Sequence, residues 1–312
     1  MKAKRNKKDS FVARLRKDIR VNWILYVMCI PVVAWLIIFK YQPMYGILMA
    51  FKDFKIKLGI WDSEWNNFEY FRRFFSSYQM PILIKNTLTL SLYTLLVGFP
   101  IPIAFALCLN YLKHQRLKKA VQMVSYAPHF ISTVVICGMI TVFCNPKTGL
   151  FNILLGTVGL ESVNFLAEPE LFKHIYVWSG VWSGMGWSAI IYVSALAGVS
   201  PELHEAAIMD GATKLQRMWH IDLPTIKPTI VMLLIMRFGS IMSVGFQKVF
   251  LLQNDLNYSA SAIISTYTYQ VGLVQGNYGY STAVSLFNNV IEILLLLAAN
   301  TFCKKVLDES LL

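Results

Sequence analysis

Charged residues are scarce in this chain of 312 residues. Only 15% are Asp, Glu, Lys or Arg, whereas soluble domains carry roughly 25%, and 56% of the chain is hydrophobic. A soluble core of this size would not need so much apolar surface. The composition therefore excludes an ordinary soluble domain and indicates an integral membrane protein.

The sequence also lacks the motifs of common catalytic and metal sites. No G-x-x-x-x-G-K-S/T run occurs, so we expect this chain to bind no ATP in the usual way. The five histidines show no metal-ligand spacing, the five cysteines form no C-x-x-C pair, and no nucleophile, base and acid stand together. We therefore expect no catalytic residue, metal or cofactor here, and a membrane-embedded enzyme is the less favoured alternative.

Long apolar runs are what the sequence has in abundance. These runs, four of them uncharged and two with one or two charged residues inside, predict six transmembrane helices, at residues 21–39, 86–110, 121–144, 175–199, 228–252 and 281–303. The first run would span about 28 Å at 1.5 Å per residue, close to one hydrocarbon thickness. No small-x-small cleavage site follows it, so we expect a retained helix rather than a signal peptide. The predicted fold class is all-α and polytopic.

The basic residues predict the orientation of these helices. Nine of the 29 Lys and Arg lie in residues 1–20, and a basic arm beside an apolar run indicates a cytoplasmic anchor on anionic lipid rather than a nucleic-acid site. With this arm inside, the predicted cytosolic segments hold 18 Lys and Arg and the outer ones hold nine. Both termini, including the tail at 304–312, are predicted to face the cytosol.

An outer segment at residues 40–85 precedes the five-helix core at 86–303. Phe68, Phe71 and Phe75 recur there at helical spacing. Such a helix either lies in the outer membrane interface or forms a small packed cap, and the sequence does not separate the two. Two further outer loops are predicted, at 145–174 and at 251–280.

One polar segment, residues 200–224, interrupts the apolar C-terminal half. Ser200 and Pro201 suit a helix start, and Asp210–Gly211 suits its end. Thr213 and Gln216 have the spacing of a capping box at the start of a second helix, which we expect Pro224 to close. The sequence thus predicts two short cytosolic helices joined by a turn.

The same segment carries a specific resemblance. Its residues match the EAA---G---------I-LP pattern of binding-protein-dependent ABC importer permeases, with every spacing kept. The runs at 44–61, 68–75 and 237–254 further resemble sugar permeases of the maltose type, and within these the bacterial subgroup for polysaccharide-derived oligosaccharides such as aldouronates. The similarity covers nearly the whole chain from about residue 20.

The resemblance implies an assembly and a coupling role. It implies a heterodimer with a second permease subunit, a dimer of ABC ATPases that use ATP and Mg, and an extracellular solute-binding lipoprotein, in the bacterial cytoplasmic membrane. The loop would dock into the ATPase. The implied coupling residues are Glu205, Ala206, Ala207, Asp210, Gly211, Ile221, Leu223 and Pro224.

Polar and aromatic residues in the spans are candidates for the substrate pathway, since such residues are costly in lipid. Arg237 and Glu292 both fall near the predicted midplane, and one hypothesis is that they pair; the alternative is that Arg237 binds backbone carbonyls and Glu292 contacts a partner subunit. On one helical face of the fifth span, Arg237 is joined by Ser240, Gln247 and Lys248. Aromatic rings stack on sugars, which adds three candidates: Tyr93, Trp182 and Trp187.

The expected function is therefore the import of a sugar or oligosaccharide. Permeases for peptides, polyamines and phosphate share the same loop, so these solutes remain alternatives. An acidic pathway would favour polyamines. The mixed charges and abundant aromatics of the predicted spans favour a sugar instead.

Overall fold

The computed structural model describes residues 18–307. The basic arm at 1–17 and the end of the tail at 308–312 lie outside the described residues. Within 18–307 the chain is helical, with no β-strand beyond two isolated bridges, at Lys52–Trp65 and Lys55–Gly59. The predicted all-α fold class is confirmed.

The first helix is longer than predicted. α1 spans Trp23–Leu36 and continues without a break through a π turn (Ile37–Tyr41) and a 3-10 helix (Gln42–Phe51). None of its most apolar stretch is buried within the chain. Only its last part packs on the body, against the C-terminal helix.

The segment after α1 packs in part against the C-terminal helix. It contains α2 (Gly59–Asp62) and α3 (Glu69–Phe75). Phe68 stands just before α3 in a left-handed conformation, with φ of 64°. Phe74 is buried against Phe287, with ring centroids 5.4 Å apart. Phe74 therefore ties this segment to the C-terminal helix, whereas Phe68 and Phe75 of the predicted aromatic stripe are exposed, so the choice between a cap and an interfacial helix stays open.

The second and fourth predicted spans are continuous helices that pack on each other. α4 (Gln79–Gly98) leads directly into α5 (Pro100–Asn110), and α9 spans Pro169–Leu196. Ala106 of α5 and Ala189 of α9 are fully buried in a shared apolar cluster. Small side chains at such a crossing let the two backbones approach closely.

The predicted third span, 121–144, is wrong as a single helix. α6 (Gln115–Tyr126) runs into a 3-10 turn at Ala127–Phe130, and α7 (Thr133–Phe143) leaves at 98° to it. Pro128 removes a backbone donor at the bend, and Ser132 starts the new helix by accepting a hydrogen bond from Val135 N–H.

The predicted fifth span, 228–252, is also wrong as a single helix. α12 spans Leu223–Phe238, and α13 begins only at Phe246 and ends at Leu252. The 239–245 break lies where Gly239 faces Leu296 of the C-terminal helix. A Cβ on Gly239 would lie 2.8 Å from Leu296 Cδ1.

Pro224 does not close the hairpin, contrary to the prediction. α10 (Pro201–Met209) is followed by α11 (Lys214–Arg217), a π turn (Met218–Asp222) and then α12 in one helical run. In the π turn Leu223 N–H donates to Met218 O, one residue further back than in an α-helix. This local adjustment lets a proline follow without ending the helix.

The segment between α13 and the final helix is helical and partly buried. Between α13 and the final helix α16 (Tyr278–Leu307) lie α14 (Tyr258–Ser261) and α15 (Ile264–Tyr269), followed by a π turn at Gln270–Val274. Ser261 and Ile263 have no exposed surface. The segment 251–280, predicted as an outer loop, therefore holds short helices and a buried part, and its outer location stays a prediction. The other predicted outer loop, 145–174, contains one short helix, α8 (Leu150–Thr157).

Three helical stretches are long and apolar enough to cross a membrane: Trp23–Phe51, Gln79–Asn110 and Tyr278–Lys305. Two bent pairs also meet this criterion if each is taken as one span. They are α6 with its 3-10 turn plus α7, and α9 plus α10, the latter bent by 77°. The described residues thus offer between three and five spans by length and composition, and the number six stays a prediction.

Candidate functional site

The hairpin at 200–224 has the turn that its sequence predicts. Gly211 has φ of +80°, a conformation that glycine adopts without a steric penalty. Ala212 N–H donates to Ala207 O at 2.8 Å and so closes the end of α10. The predicted end of the first helix at Asp210–Gly211 is confirmed.

The start of the second hairpin helix also agrees with the prediction. Thr213 N–H donates to Gln216 Oε1 at 2.7 Å, and Gln216 N–H donates to Thr213 Oγ1 at 3.3 Å, which completes the capping box. Ser200 differs from the prediction, since its side chain makes no capping hydrogen bond to α10. Pro201 at the first turn needs no donor there.

The hairpin presents an apolar surface outward. Met209 is 87% exposed. We call this the hairpin surface and define it by five exposed side chains: Leu203, Ile208, Met209, Leu215 and Trp219. Isolated exposed apolar residues are common, but a cluster on one protruding element marks an interaction site.

The motif residues divide between the outer and inner sides of the hairpin. Glu205, Ala206, Asp210, Gly211 and Pro224 are exposed. Ala207 is partly buried, and Ile221 and Leu223 pack against the apolar cluster formed by α5, α9 and α12. The outer residues are free to meet a partner, whereas the inner ones tie the hairpin to the helices behind it.

A buried carboxylate lies behind the hairpin. Asp222 has no exposed surface, although it stands between two motif residues at the head of α12. Tyr111 Oη, at the end of α5, donates to Asp222 Oδ2 at 2.6 Å. His204 Nε2, on α10, lies 3.1 Å from Asp222 Oδ1. The guanidinium of Arg217 lies 5.6 Å from the centroid of the Tyr111 ring.

Burial raises the pKa of the Tyr111 hydroxyl, and its hydrogen bond to Asp222 raises that pKa further. Tyr111 therefore keeps its proton and stays a donor to the carboxylate. The sequence analysis missed this group. The available signal was an acidic residue, Asp222, inside the otherwise apolar Ile221–Leu223 stretch.

A polar cavity of about 340 Å³ lies among α4, α9, α12 and α13. Serine and threonine hydroxyl groups line it from α4, from α9 and from the 239–245 break between α12 and α13: Ser91, Thr94, Ser183, Ser188, Ser240 and Ser243. A second cavity of about 410 Å³ shares part of the wall, including Phe99, Ser188 and Arg237. Both cavities lie beside α9, and we refer to the two together as the polar recess.

Two cations and no carboxylate line this recess among the described residues. Lys248 Nζ donates to Tyr176 O at 2.7 Å and lies 4.7 Å from the centroid of the Tyr176 ring. Gly180 makes room for it, since a Cβ there would lie 3.3 Å from the ammonium. Arg237 is exposed to the recess.

The predicted pair of Arg237 and Glu292 is wrong. No salt bridge joins their side chains, both of which lie in the described part of the chain. Glu292 Oε1 instead accepts hydrogen bonds from Ser243 Oγ at 2.6 Å and from Asn288 Nδ2 at 3.3 Å. Arg237 instead stands in the last turn of α12, just before the 239–245 break, where it lines the recess.

The other predicted pathway residues separate into two groups. Arg237 and Ser240 line the polar recess, and Trp187 lines its second part, stacked on His129 with ring centroids 4.5 Å apart. Gln247 is exposed and lines neither cavity, because α13 does not continue the face of α12.

Trp182 lines a separate apolar pocket of about 720 Å³ between α7, α8 and α9. Tyr93 lies at its side, where its hydroxyl contacts His174 Nδ1 at 2.8 Å and accepts from Trp178 Nε1 at 3.1 Å. The two faces of α9 therefore differ. The face that carries Gly180 and Gly184 lines the polar recess, and the face that carries Trp178 and Trp182 lines the apolar pocket.

An all-helical membrane protein with a capped hairpin and a polar recess in its helical body has the features of a transport permease. The chain belongs to the family of binding-protein-dependent transport system inner membrane components, whose model matches residues 98–306. Members of this family are permeases and not catalytic subunits.

Two relatives from Bacillus subtilis (strain 168) are similar over nearly their whole length. Protein LplB is 43% identical over 97% of this chain and 94% of its own. The polygalacturonan/rhamnogalacturonan transport system permease protein YteP is 42% identical over 92% of this chain and 89% of its own.

Two solved structures share the fold. One is a bacterial ABC transporter involved in the import of the acidic polysaccharide alginate, with a TM-score of 0.88 and 42% identity over 94% of this chain and 99% of that one. The other is a bacterial alginate ABC transporter in complex with alginate pentasaccharide-bound periplasmic protein. Its TM-score is also 0.88, with 41% identity over 96% of this chain and 100% of that one.

Proposed function

We propose that this chain is one of two membrane subunits of an ATP-driven importer for oligosaccharides that carry carboxylate groups. The observation that carries the proposal is the recess lined by Arg237 and Lys248 without a carboxylate. Relatives that act on a polygalacturonan or on the acidic polysaccharide alginate support the same chemistry.

The recess suits such a ligand physically. Its hydroxyl groups offer donors and acceptors to sugar hydroxyls, and Trp187 offers an aromatic face beside Arg237. A cation next to a carboxylate in a partly dehydrated recess makes a charge-assisted hydrogen bond, stronger than a neutral one. The same charges repel polyamines, which makes that alternative the least favoured of the three other solutes.

The proposed assembly contains a second permease, a dimer of ABC ATPases and a binding lipoprotein outside the cell. The solved relative with its periplasmic protein supports the last partner. In this assembly ATP and Mg bind to the ATPases and not to this chain, both termini are cytoplasmic, and the chain sits in the bacterial cytoplasmic membrane. The proposed docking element for the ATPase is the hairpin, with Glu205, Ala206 and Gly211 on its outer side.

The test is uptake by the complete complex in liposomes, supplied with its binding protein and either an oligogalacturonate or its methyl ester. We expect the free acid to be taken up and to stimulate ATP hydrolysis. Arg237→Gln should weaken the response to the acid by about ten- to hundredfold, since a charge-assisted hydrogen bond contributes about 1.5–3 kcal/mol. Arg116→Gln, an exposed cation on α6, is the matched control.

Comparing the free acid with its methyl ester tests whether the recess recognises the carboxylate. If Arg237→Gln lowers the uptake of the acid and of the ester equally, the guanidinium does not bind the carboxylate. If the wild-type complex takes up the ester as well as the acid, the recess does not select charge and a neutral oligosaccharide becomes the better substrate.

A further inference from the structure

Asp222 is a buried charge that the permease motif does not account for. Its side chain is fully buried, and burial of a carboxylate is costly unless partners compensate it. The residue contacts two polar neighbours from different parts of the chain, Tyr111 through a hydrogen bond and His204 at 3.1 Å. A carboxylate in this position has a role that an apolar residue could not fill.

The partners belong to separate elements. Tyr111 follows the last turn of α5, His204 lies in the middle of α10, and Asp222 itself precedes α12. The Tyr111 and His204 rings also meet edge to face, with centroids 6.3 Å apart. One carboxylate therefore links the first hairpin helix to two helices of the membrane body.

The hairpin needs such a link. No residue of α10 is fully buried, and only His204 and Ala207 are partly buried. On one side α10 joins α9 through a 77° bend, and on the other it ends at Gly211, which has open space around its Cα. The chain connections alone leave α10 free to tilt without moving α5 or α12.

We propose that Asp222 is a positioning residue that locks α10 to α5 and α12 through His204 and Tyr111. A displacement of the hairpin then moves these helices with it. α5 and α12 both contribute to the polar recess, at Pro102 and Arg237. This inference rests on the proposed function only in assigning the moved helices to a transport cycle. The link itself is a property of the fold.

Substrate-independent motion is the first test. Amide hydrogen exchange would be measured on the complete complex in nanodiscs, for the wild type, Asp222→Asn and Asp255→Asn. The last is an isosteric control in an exposed loop. We expect exchange in α10 to become at least tenfold faster in Asp222→Asn alone. Unchanged protection of α10 in that variant would overturn the inference, whatever the substrate of the complex is.

Coupling is the second test. In liposomes, Asp222→Asn should retain the bound ATPase but hydrolyse several times more ATP for each oligosaccharide taken up. His204→Gln keeps a donor near the position of Nε2 and should preserve the ratio, whereas His204→Phe should raise it. The double variant His204→Phe/Asp222→Asn should be no worse than the poorer single variant, because both changes break one link.

The two tests separate the possible failures. A wild-type complex without substrate-stimulated hydrolysis would contradict the proposed function, and the exchange experiment would still decide the link. A stimulated wild type with the same ATP-to-sugar ratio in all variants would contradict the link. A loss of bound ATPase in parallel with uptake would reduce Asp222 to a folding role and also contradict it.

Discussion

Gly186 sets the distance between α6 and α9. A Cβ built on it would lie 2.3 Å from the carbonyl oxygen of Ser125, which is backbone and cannot rotate away. Gly186 is itself buried, and its helix forms the wall of the polar recess. The absence of a side chain at Gly186 therefore allows α6 and α9 to pack at this distance.

We expect Gly186→Ala to destabilise the protein, because overpacking at a close contact costs typically 1–3 kcal/mol. The melting temperature of the purified complex should fall by several degrees. Gly138→Ala is the matched control, since a Cβ at Gly138 meets nothing within 4 Å. An equal melting temperature for the two variants would show that the α6–α9 contact is not tight.

Asn86 acts at the same scale on the other side of the body. Its Nδ2 donates to Ser259 O at 2.8 Å and to Ala262 O at 3.1 Å, so one side chain holds the buried segment around α14. Neighbouring Thr87 accepts from Ile264 N–H at 3.1 Å. The buried carbonyl of Ala262 and the partly buried carbonyl of Ser259 would lose their donor in a truncated variant.

We expect Asn86→Ala to lower the free energy of unfolding by about 1–3 kcal/mol, the cost of leaving buried polar groups unsatisfied. Limited proteolysis would detect the effect as faster cleavage between residues 253 and 277. Asn254→Ala serves as a comparison, since Asn254 is exposed at the edge of the same segment. Equal cleavage of the wild type and Asn86→Ala would contradict the assigned role.

At the scale of elements, the sequence predicts those features that depend only on neighbouring residues. The turn at Gly211 and the Thr213–Gln216 box depend on neighbouring residues only, and the structure confirms both. The helix break at 239–245 lies where distant elements pack, as Leu296 against Gly239 illustrates. The bend at Pro128 has a local cause, the donor that the proline lacks, which the prediction of a single span left out of account. Arg237 was recognised as a pathway candidate, but the partners of Glu292, which are Ser243 and Asn288, were not, because the register between helices follows from packing.

The hairpin surface carries the element-scale prediction. We expect Met209→Glu to weaken association with the ATPase by at least tenfold, because a charge replaces an 87% exposed apolar side chain at the docking surface. Met209→Leu keeps the apolar contact and should bind normally. Co-purification of the ATPase with each variant measures the effect. Full recovery of the ATPase with Met209→Glu would place the docking site elsewhere.

The molecule as a whole is incomplete as a single chain. The most apolar stretch within Trp23–Phe51 is not buried by the rest of the described chain, and the apolar pocket lined by Trp178 and Trp182 is open. Such surfaces are stable in lipid or against another membrane subunit. The body between them holds the cation-lined recess and carries the hairpin, so the proposed substrate site and the proposed ATPase-docking site are separate places on one set of helices.

The central claim is that the hairpin transmits the conformational changes of a separate ATPase to the helices around the recess. The most direct measurement is ATP-dependent uptake of an acidic oligosaccharide by the complete complex in liposomes, with Glu205 and Gly211 intact and then with Glu205→Ala and Gly211→Pro. We expect uptake stimulated by the binding protein in the wild type and its loss in both variants. Unchanged uptake in both variants would contradict the account, because the hairpin would not be the coupling element.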